Sequence, residues 1–320
     1  MKEARTAAIW QVSGGPVDRP YAGLFLKHGV ALIGPGEDGP WCADRPESDN
    51  HVRRFAEILR VGDLLLLRTA ISELVAVGLV AGEYEFLEAF DDVQGWDLRH
   101  GRRVRWYCLP EPYRFDGSVF GANPHRFSRV QNDVVVDYAR TFLTSGLTHW
   151  QDAALPSLPE VQPPLEEVPE CLRDVVGLAR DLFGLYAEED RFGDGPNENE
   201  MTAHFIVPLL RALGWPQELI GVEWRRIDVA LFTSLPRSPE NCRFVIEAKR
   251  LGTGLEGARK QAEDYVARLR VARDVVVTDG FRYHIFDHKT RFAPVAYANL
   301  ARLKQPSLAL FDRLRYPKQV

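Results

Sequence analysis

The sequence predicts an α+β chain of two domains, a small β-barrel followed by an α/β domain on a mixed sheet. Three observations carry that expectation. Between Gln151 and Glu170 the stretch QDAALPSLPEVQPPLEEVPE holds five prolines, Pro156, Pro159, Pro163, Pro164 and Pro169, and no sustained helical or strand period. Such a segment favours extended backbone and marks a linker. Ahead of it, short apolar runs are separated by glycine turns, the pattern of a small barrel. Behind it, helical and strand periods alternate, which predicts an α/β layer. The expected parts are residues 1–150, 151–169 and 170–320.

In the first part the strand signals are AAIWQV, GVALIG, DLLLL after the Val61-Gly62 turn, ELVAVGLVAGEY and the alternating RVRWYC, with a short helix around Asn50 to Arg60. After the proline stretch the order is a helix from Glu170 to Leu185, a loop RFGDGPNEN, a helix through Met201 to Leu213 and the strand RRIDVALF. The strand RFVIEAK, a helix from Leu255 to Arg270, the strand DVVVTD and its hairpin partner RYHIFD complete it.

With 320 residues, 45% hydrophobic and 27% charged, the composition is ordinary for globular domains and supplies a core to each half. Met1 to Val12 has neither a long apolar run nor a small-residue cleavage site, and no later window approaches a membrane span, so the expected location is the cytoplasm. Cys42, Cys108, Cys171 and Cys242 are scattered singly. That spacing suits neither a zinc site nor a disulfide scaffold, and buried free thiols are expected. The net charge of -5 is unevenly spread: residues 198–320 carry 20 Lys and Arg against 14 Asp and Glu, a local +6, with Arg225, Arg226, Arg243, Lys249 and Arg250 among them. This is the electrostatic footprint of a polyanion partner, or of a solvated basic surface with none.

The stretch RFVIEAKR, Arg243 to Arg250, runs apolar and then sets Glu247 and Lys249 at the strand's end. Alternation places Val245, Glu247 and Lys249 on one face. Asp228 opens an earlier strand, IDVALF, and Glu200 sits in the first turn of the preceding helix, so both are candidates to reach the same end of the sheet. Two carboxylates plus a backbone carbonyl suit a hard cation such as Mg²⁺ and leave room for a phosphate oxygen and a water. The Lys249 ammonium can orient that water or offset charge on the phosphate.

The ordered set Glu200, Asp228, Glu247-Ala248-Lys249 resembles the PD-(D/E)xK nuclease superfamily. Gln261-Ala262-Glu263-Asp264-Tyr265 is similar to the QxxxY motif of the nuclease domain of type I restriction enzymes. The flanks NENEMTAHFIVPLLRALGW and VVVTDGFRYHIF resemble that family's opening helix and its strand and hairpin. The resemblance spans about Asn197 to Asp287 and implies a restriction-endonuclease-like fold. It also implies that Asp228 and Glu247 hold Mg²⁺, with Mn²⁺ as a substitute, and that Glu200 is an outer ligand. Gln261 then faces the lysine or the DNA backbone, and Tyr265 packs and positions the site. By the residues alone, Tyr265 belongs equally to the buried stripe Leu255, Ala258, Ala262, Val266 and Leu269.

A rival lies in Gly252-Thr253-Gly254-Leu255-Glu256-Gly257, which fits G-x-G-x-x-G between a strand and a helix, with Asp279 after the next strand. That fingerprint needs an apolar strand running into its first glycine, and here Glu247, Lys249 and Arg250 intervene, so the glycines read as a loop over the metal site. No G-x-x-x-x-G-K-[ST] loop is present, and no ATP partner is expected. His204, one turn after Glu200, reads as a supporting or half-exposed histidine.

In the first half, AAIWQVSGG, LRVGDLLLLRTA, ELVAVGLVAGEY and HGRRVRWY, in that order, resemble the EVE and PUA-like barrels that bind modified nucleobases. The likeness covers about Ala7 to Tyr107. Reading a modified base requires stacking it on an aromatic ring while polar groups meet its edge. Trp10 with Ser13 is the first candidate pocket and Trp41 and Trp96 the second. Trp106 reads as core. The sequence has the apolar GVALIGPG where several relatives place a second tryptophan. Arg99, Arg102, Arg103 and Arg105 read either as a phosphate track or as a solvated face.

Together the two resemblances imply a modification-dependent DNA endonuclease for phage defence, a cytoplasmic enzyme that pairs as a homodimer on DNA to cut both strands. The alternative is a catalytically inactive nucleic-acid-binding sensor that recruits a partner.

Overall fold

The run Leu64–Arg68 lacks alternation because the strand it forms is buried on both faces, which removes the polar side that alternation would serve. The computed structural model describes residues 7–15, 21–36, 39–42, 50–69, 71–121, 126–144, 150–186, 196–250, 263–264, 266–267, 274–290 and 292–317, with the side chain of residue 183 outside them. They fall into two compact units, Met1–Val161 and Gln162–Val320.

The strands of the first unit are β1 Ile9–Ser13, β2 Val30–Ile33, β3 Leu64–Arg68, β4 Glu73–Phe86, β5 His100–Arg114 and β6 Phe127–Arg129. They form one sheet in the order β2-β5-β4-β3-β1-β6, in which only β1 and β3 run parallel. Among the described residues β2 and β6 stand at opposite ends without pairing, so the sheet is a curled half-barrel. Leu65 and Leu67 meet Trp10, Val12, Phe55 and Phe127 on one face. Leu64 and Leu66 meet Ile9, Val77 and a helix, α3 (Asp133–Thr144), on the other. Two shorter helices, α1 (Ala22–His28) and α2 (Asn50–Arg53, continued by a π turn over Arg54–Ile58), contribute Phe25 and Phe55 to the first face.

Asp63 explains the Val-Gly-Asp turn. It is fully buried, its Oδ1 accepts from the Ala8 amide at 3.0 Å, and its Oδ2 accepts from Trp10 Nε1 and the Arg60 amide, both at 3.1 Å. Gly62 takes φ +87° there, a conformation open to glycine without strain. Gly78 has a different reason: a Cβ would lie 2.5 Å from the Trp106 ring, which crosses it and donates from Nε1 to the Val30 carbonyl at 3.0 Å.

The proline-rich segment carries no helix or regular strand, and it is tied down at both ends. Arg103 donates to the Pro156 carbonyl, Arg105 to that of Ala153 at 2.8 Å, and Leu158 packs on the first core. In the second unit the Leu165 amide donates to Leu303 at 2.8 Å, and Leu165 and Val168 cover the second core. The cysteines correct an expectation. All four are free, but only Cys242 is buried, whereas Cys42, Cys108 and Cys171 are exposed.

The second unit holds β7 Ile220–Trp224, β8 Ile227–Phe232, β9 Cys242–Ala248, β10 Asp274–Thr278, β11 Arg282–Asp287 and β12 Ala293–Asn299. Their sheet order is β12-β11-β10-β9-β8-β7, antiparallel except for β9 beside β10. Helices α4 (Glu170–Tyr186), α5 (Glu198–Met201), α6 (Val207–Ala212) and α7 (Leu308–Leu314) pack Leu172, Met201, Leu209 and Leu310 on it. Between α5 and α6 a π turn spans Thr202–Ile206, where the Val207 amide reaches back to the Thr202 carbonyl. The helix predicted from Met201 starts earlier because Asn197 caps it.

The β7–β8 hairpin closes with Trp224 opposite Ile227, leaving Arg225 and Arg226 as a two-residue turn at φ +53° and +67°. Such turns favour Asn-Gly, and each non-glycine residue held there costs about 1–2 kcal/mol. Among the described residues, no helix is long and apolar enough to cross a membrane.

Candidate active site

Strand pairing brings the acid, the acid and the base together. Val229 pairs with Ile246, so Asp228 stands across from Glu247, and Glu247 pairs on its other side with Val277. The Ala248 amide donates to Asp228 Oδ2 at 2.7 Å, which fixes the carboxylate at the strand's end. The Lys249 amide donates to the Thr278 carbonyl at 2.8 Å and so prolongs the ladder by one residue. Lys249 Nζ lies 2.7 Å from Glu247 Oε1 and 3.7 Å from Glu198 Oε1.

Glu247 is 1% exposed, and while Oε1 is bonded to Lys249, its buried Oε2 has no donor among the described residues. Desolvation raises its pKa to about 7, with Asp228 repulsion adding to the rise and the Lys249 bond opposing it. Burial also raises Asp228, against the pull of the Ala248 amide and Lys249. For Lys249, burial alone would lower the pKa, but the bond to Glu247 and the charges of Glu198 and Asp228 carry it above its ordinary value. Among the described residues, three carboxylates thus face one ammonium. A buried carboxylate oxygen without a donor, in a cluster of net negative charge, fits a hard divalent cation held by Asp228 and Glu247.

Glu200 stands elsewhere. Its Oε2 accepts from the Asn197 amide at 2.7 Å while Asn197 Oδ1 accepts from the Glu200 amide at 3.0 Å, a capping box. The helix carboxylate beside the lysine is Glu198, a residue the sequence reading passed over; the signal for it was Asn197, whose cap fixes which acids open the helix. His204 is exposed. Gln261, Tyr265 and the glycines of 252–257 lie outside the described residues. Asp279, the ribose partner of the dinucleotide rival, is fully buried and accepts from the Phe281 and Arg282 amides and the Arg282 guanidinium, shaping the β10–β11 turn.

A second acidic group sits at the far end of the strands, where ligand atoms of Asp274, Asp287 and His288 lie within 4.8 Å of one another. Arg313 donates to both aspartates at 2.9 Å, so a guanidinium already supplies the positive charge.

In the first unit Trp10 is 3% exposed, stacked on Phe127 at 5.0 Å and bonded to Asp63. Its ring has no open face for a base, which corrects its placement as the leading pocket residue. Ser13 is half-buried, and its Oγ accepts from the Gly15 amide at 3.3 Å. Trp41 is half-buried, with its amide on the Tyr84 hydroxyl at 2.9 Å and its Nε1 on Glu57 at 3.1 Å. Trp96 lies under the Arg126 guanidinium, 4.8 Å from the ring centre. The arginines of β5 and its approach serve the fold: Arg99 pairs with Asp97 and Glu88, Arg102 satisfies the Phe55, Ala56 and Leu59 carbonyls, and Arg103 and Arg105 hold the proline segment.

Comparison with known proteins adds little to this geometry. Residues 18–118 match a family described as a domain of unknown function, DUF8426. No curated protein matches the chain. Among solved structures, the protein Atu2648 from Agrobacterium tumefaciens is similar at 17% identity over 48% of this chain and 100% of its own, with a TM-score of 0.25, too low to transfer a fold.

Proposed function

We propose that the chain is a modification-dependent DNA endonuclease, a Mg²⁺-dependent phosphodiester hydrolase of PD-(D/E)xK type in its second unit, joined to an EVE/PUA-like reader of a modified base in its first. The observation that carries the reading is Glu247: buried, flanked by Asp228 and Lys249, and left with an oxygen that no donor among the described residues meets. A purely structural carboxylate has no reason to be buried half-satisfied.

In this reading Asp228 and Glu247 hold the cation. When bound, it supplies Lewis-acid polarisation of the phosphodiester and acidifies a water. The Ala248 amide keeps Asp228 oriented. Lys249, charged throughout the neutral range, would orient the attacking water and offset the negative charge that develops on the phosphoryl oxygens. Glu198 holds the ammonium on the solvent side. In the reader, Trp41 and Trp96 take the stacking role that Trp10 cannot fill. Cutting both strands calls for two copies on DNA.

The test is cleavage in Mg²⁺ of one DNA supplied unmodified, cytosine-methylated, hydroxymethylated and glucosylated, by the parent and by Lys249→Ala. Cutting of one modified form, lost in the variant, is expected. Cutting of all forms would remove the reader's role. No cutting, with Mn²⁺ tried as well, would favour the inactive sensor.

A further inference from the structure

The tip of the β7–β8 hairpin is built against its own local preference. Arg225 and Arg226 occupy the two central positions of the turn, both at positive φ, and Glu223 just before them is also at φ +53°. Strain of this kind, kept where Asn-Gly would relieve it, points to what the side chains do. Both arginines are exposed, and among the described residues neither guanidinium has a hydrogen bond or ion pair with the protein; Arg225 lies over the Trp224 ring at 4.7 Å. That contrasts with Arg99, Arg102, Arg103 and Arg105, each committed to protein acceptors.

The position of the turn matters as much as its strain. Arg226 is two residues from Asp228, so the Cα atoms of the pair are at most about 7 Å apart. Because β8 is antiparallel to β9, the turn projects at the end of the sheet where Glu247 and Lys249 stand. A two-residue turn also leaves the guanidiniums little backbone freedom, and guanidinium forks match phosphate oxygens.

We infer that Arg225 and Arg226 are positioning residues that grip the phosphodiester backbone of DNA beside the carboxylate site. The inference rests on the nuclease reading for the identity of the bound chain, and it adds how that chain is held. The nearby carboxylates Glu198, Glu223, Asp228 and Glu247 repel phosphate, so the grip strengthens when a divalent cation offsets them.

The test uses the full chain and a fluorescent duplex of the modified form that is cut, or of all four forms if none is. Binding is followed by anisotropy across a salt series with Ca²⁺ or with chelator, for the parent, Arg225→Asn/Arg226→Gly and Lys249→Ala. Cleavage in Mg²⁺ is measured in parallel. The double variant should melt a few degrees higher, because the turn relaxes, yet bind about ten-fold or more weakly, with the slope of log affinity against log salt reduced by about 2. Lys249→Ala keeps both arginines and should therefore retain both of their slope units, losing at most about one of its own. A double variant that binds with the parent's affinity and slope overturns the grip, and loss of cutting in Lys249→Ala then leaves the nuclease reading standing. Arginine-dependent binding with no cutting of any form supports the grip and overturns the nuclease. A parent that neither binds nor cuts overturns both.

Discussion

Asp63 and Glu247 are both buried carboxylates, and they differ in how the fold answers them. Asp63 is surrounded by donors from three places, the Ala8 and Arg60 amides and the Trp10 indole, and it ties a turn to the neighbouring strand. Glu247 has Lys249 on one oxygen and, among the described residues, no donor on the other, and a second carboxylate, Asp228, stands across from it on the adjoining strand. A buried acid that is fully bonded stabilises a fold, whereas one left partly bonded and crowded is costly to the fold and available to a ligand. The comparison teaches that satisfaction, more than burial, separates a structural acid from a functional one.

Four measurements sharpen or break that contrast. The largest effect belongs to Glu247→Gln, which should lower Mg²⁺-dependent cleavage by about 10²–10³-fold while leaving circular dichroism unchanged; an equally active variant would end the distinction. Next, Asp63→Ala strands three donors and should lose about 3 kcal/mol or more in urea unfolding. An unchanged midpoint would mean that Asp63 is no more structural than Glu247.

The third effect is pH-dependent. Because the folded protein holds the Glu247 proton up to about pH 7, against an ordinary value of 4.5, the folded state binds this proton more tightly than the unfolded chain. Its burial therefore costs nothing below about pH 4.5, and the cost grows as pH rises through 7. Between pH 4.5 and 8 the stability of Glu247→Gln should gain about 3 kcal/mol on the parent, measured without divalent ions. Saturating Mg²⁺ should close the gap at pH 8 by raising the parent, by about 2.7 kcal/mol at a hundred times Kd, and leave the variant unmoved. Parallel pH curves would show that Glu247 is not the strained acid. The smallest effect is Trp10→Phe, which removes one bond to Asp63 and should cost about 1 kcal/mol without altering which DNA is bound; altered discrimination would return Trp10 to the pocket.

Local sequence made part of this legible. Runs such as VALI, LLLL and FVIEA form strands where their apolar character places them, and the proline stretch contains the division between the units. Asp228, Glu247 and Lys249 meet because strand alternation and pairing follow from those same runs. What escaped depends on partners far along the chain. Trp10 is buried by Phe127 and Asp63, more than a hundred and about fifty positions away, and no local period announces that. The β5 arginines read as a phosphate track or a solvated face because their acceptors, around Phe55 to Leu59 and in the proline stretch, lie tens of residues away along the chain. β6 spans only three residues, and β7 and β12, partly exposed along their length, carry no apolar run like VALI or LLLL. Glu198 was missed because a regular helix through Met201 to Leu213, with Glu200 in its first turn, was expected, whereas the Thr202–Ile206 turn is wider than that period.

That wide turn has a consequence for how such a site could change. A π turn accommodates one residue beyond the regular helix, so the segment ahead of it is rotated by about 100° relative to the segment behind. The helix can thus keep Leu209 and Leu210 in the core while Glu198 is aimed independently at Lys249. Loss of a single codon between Thr202 and Ile206 would turn another side chain toward the lysine with the packed end undisturbed, which gives mutation a one-step route to a different set of ligands on an unchanged scaffold.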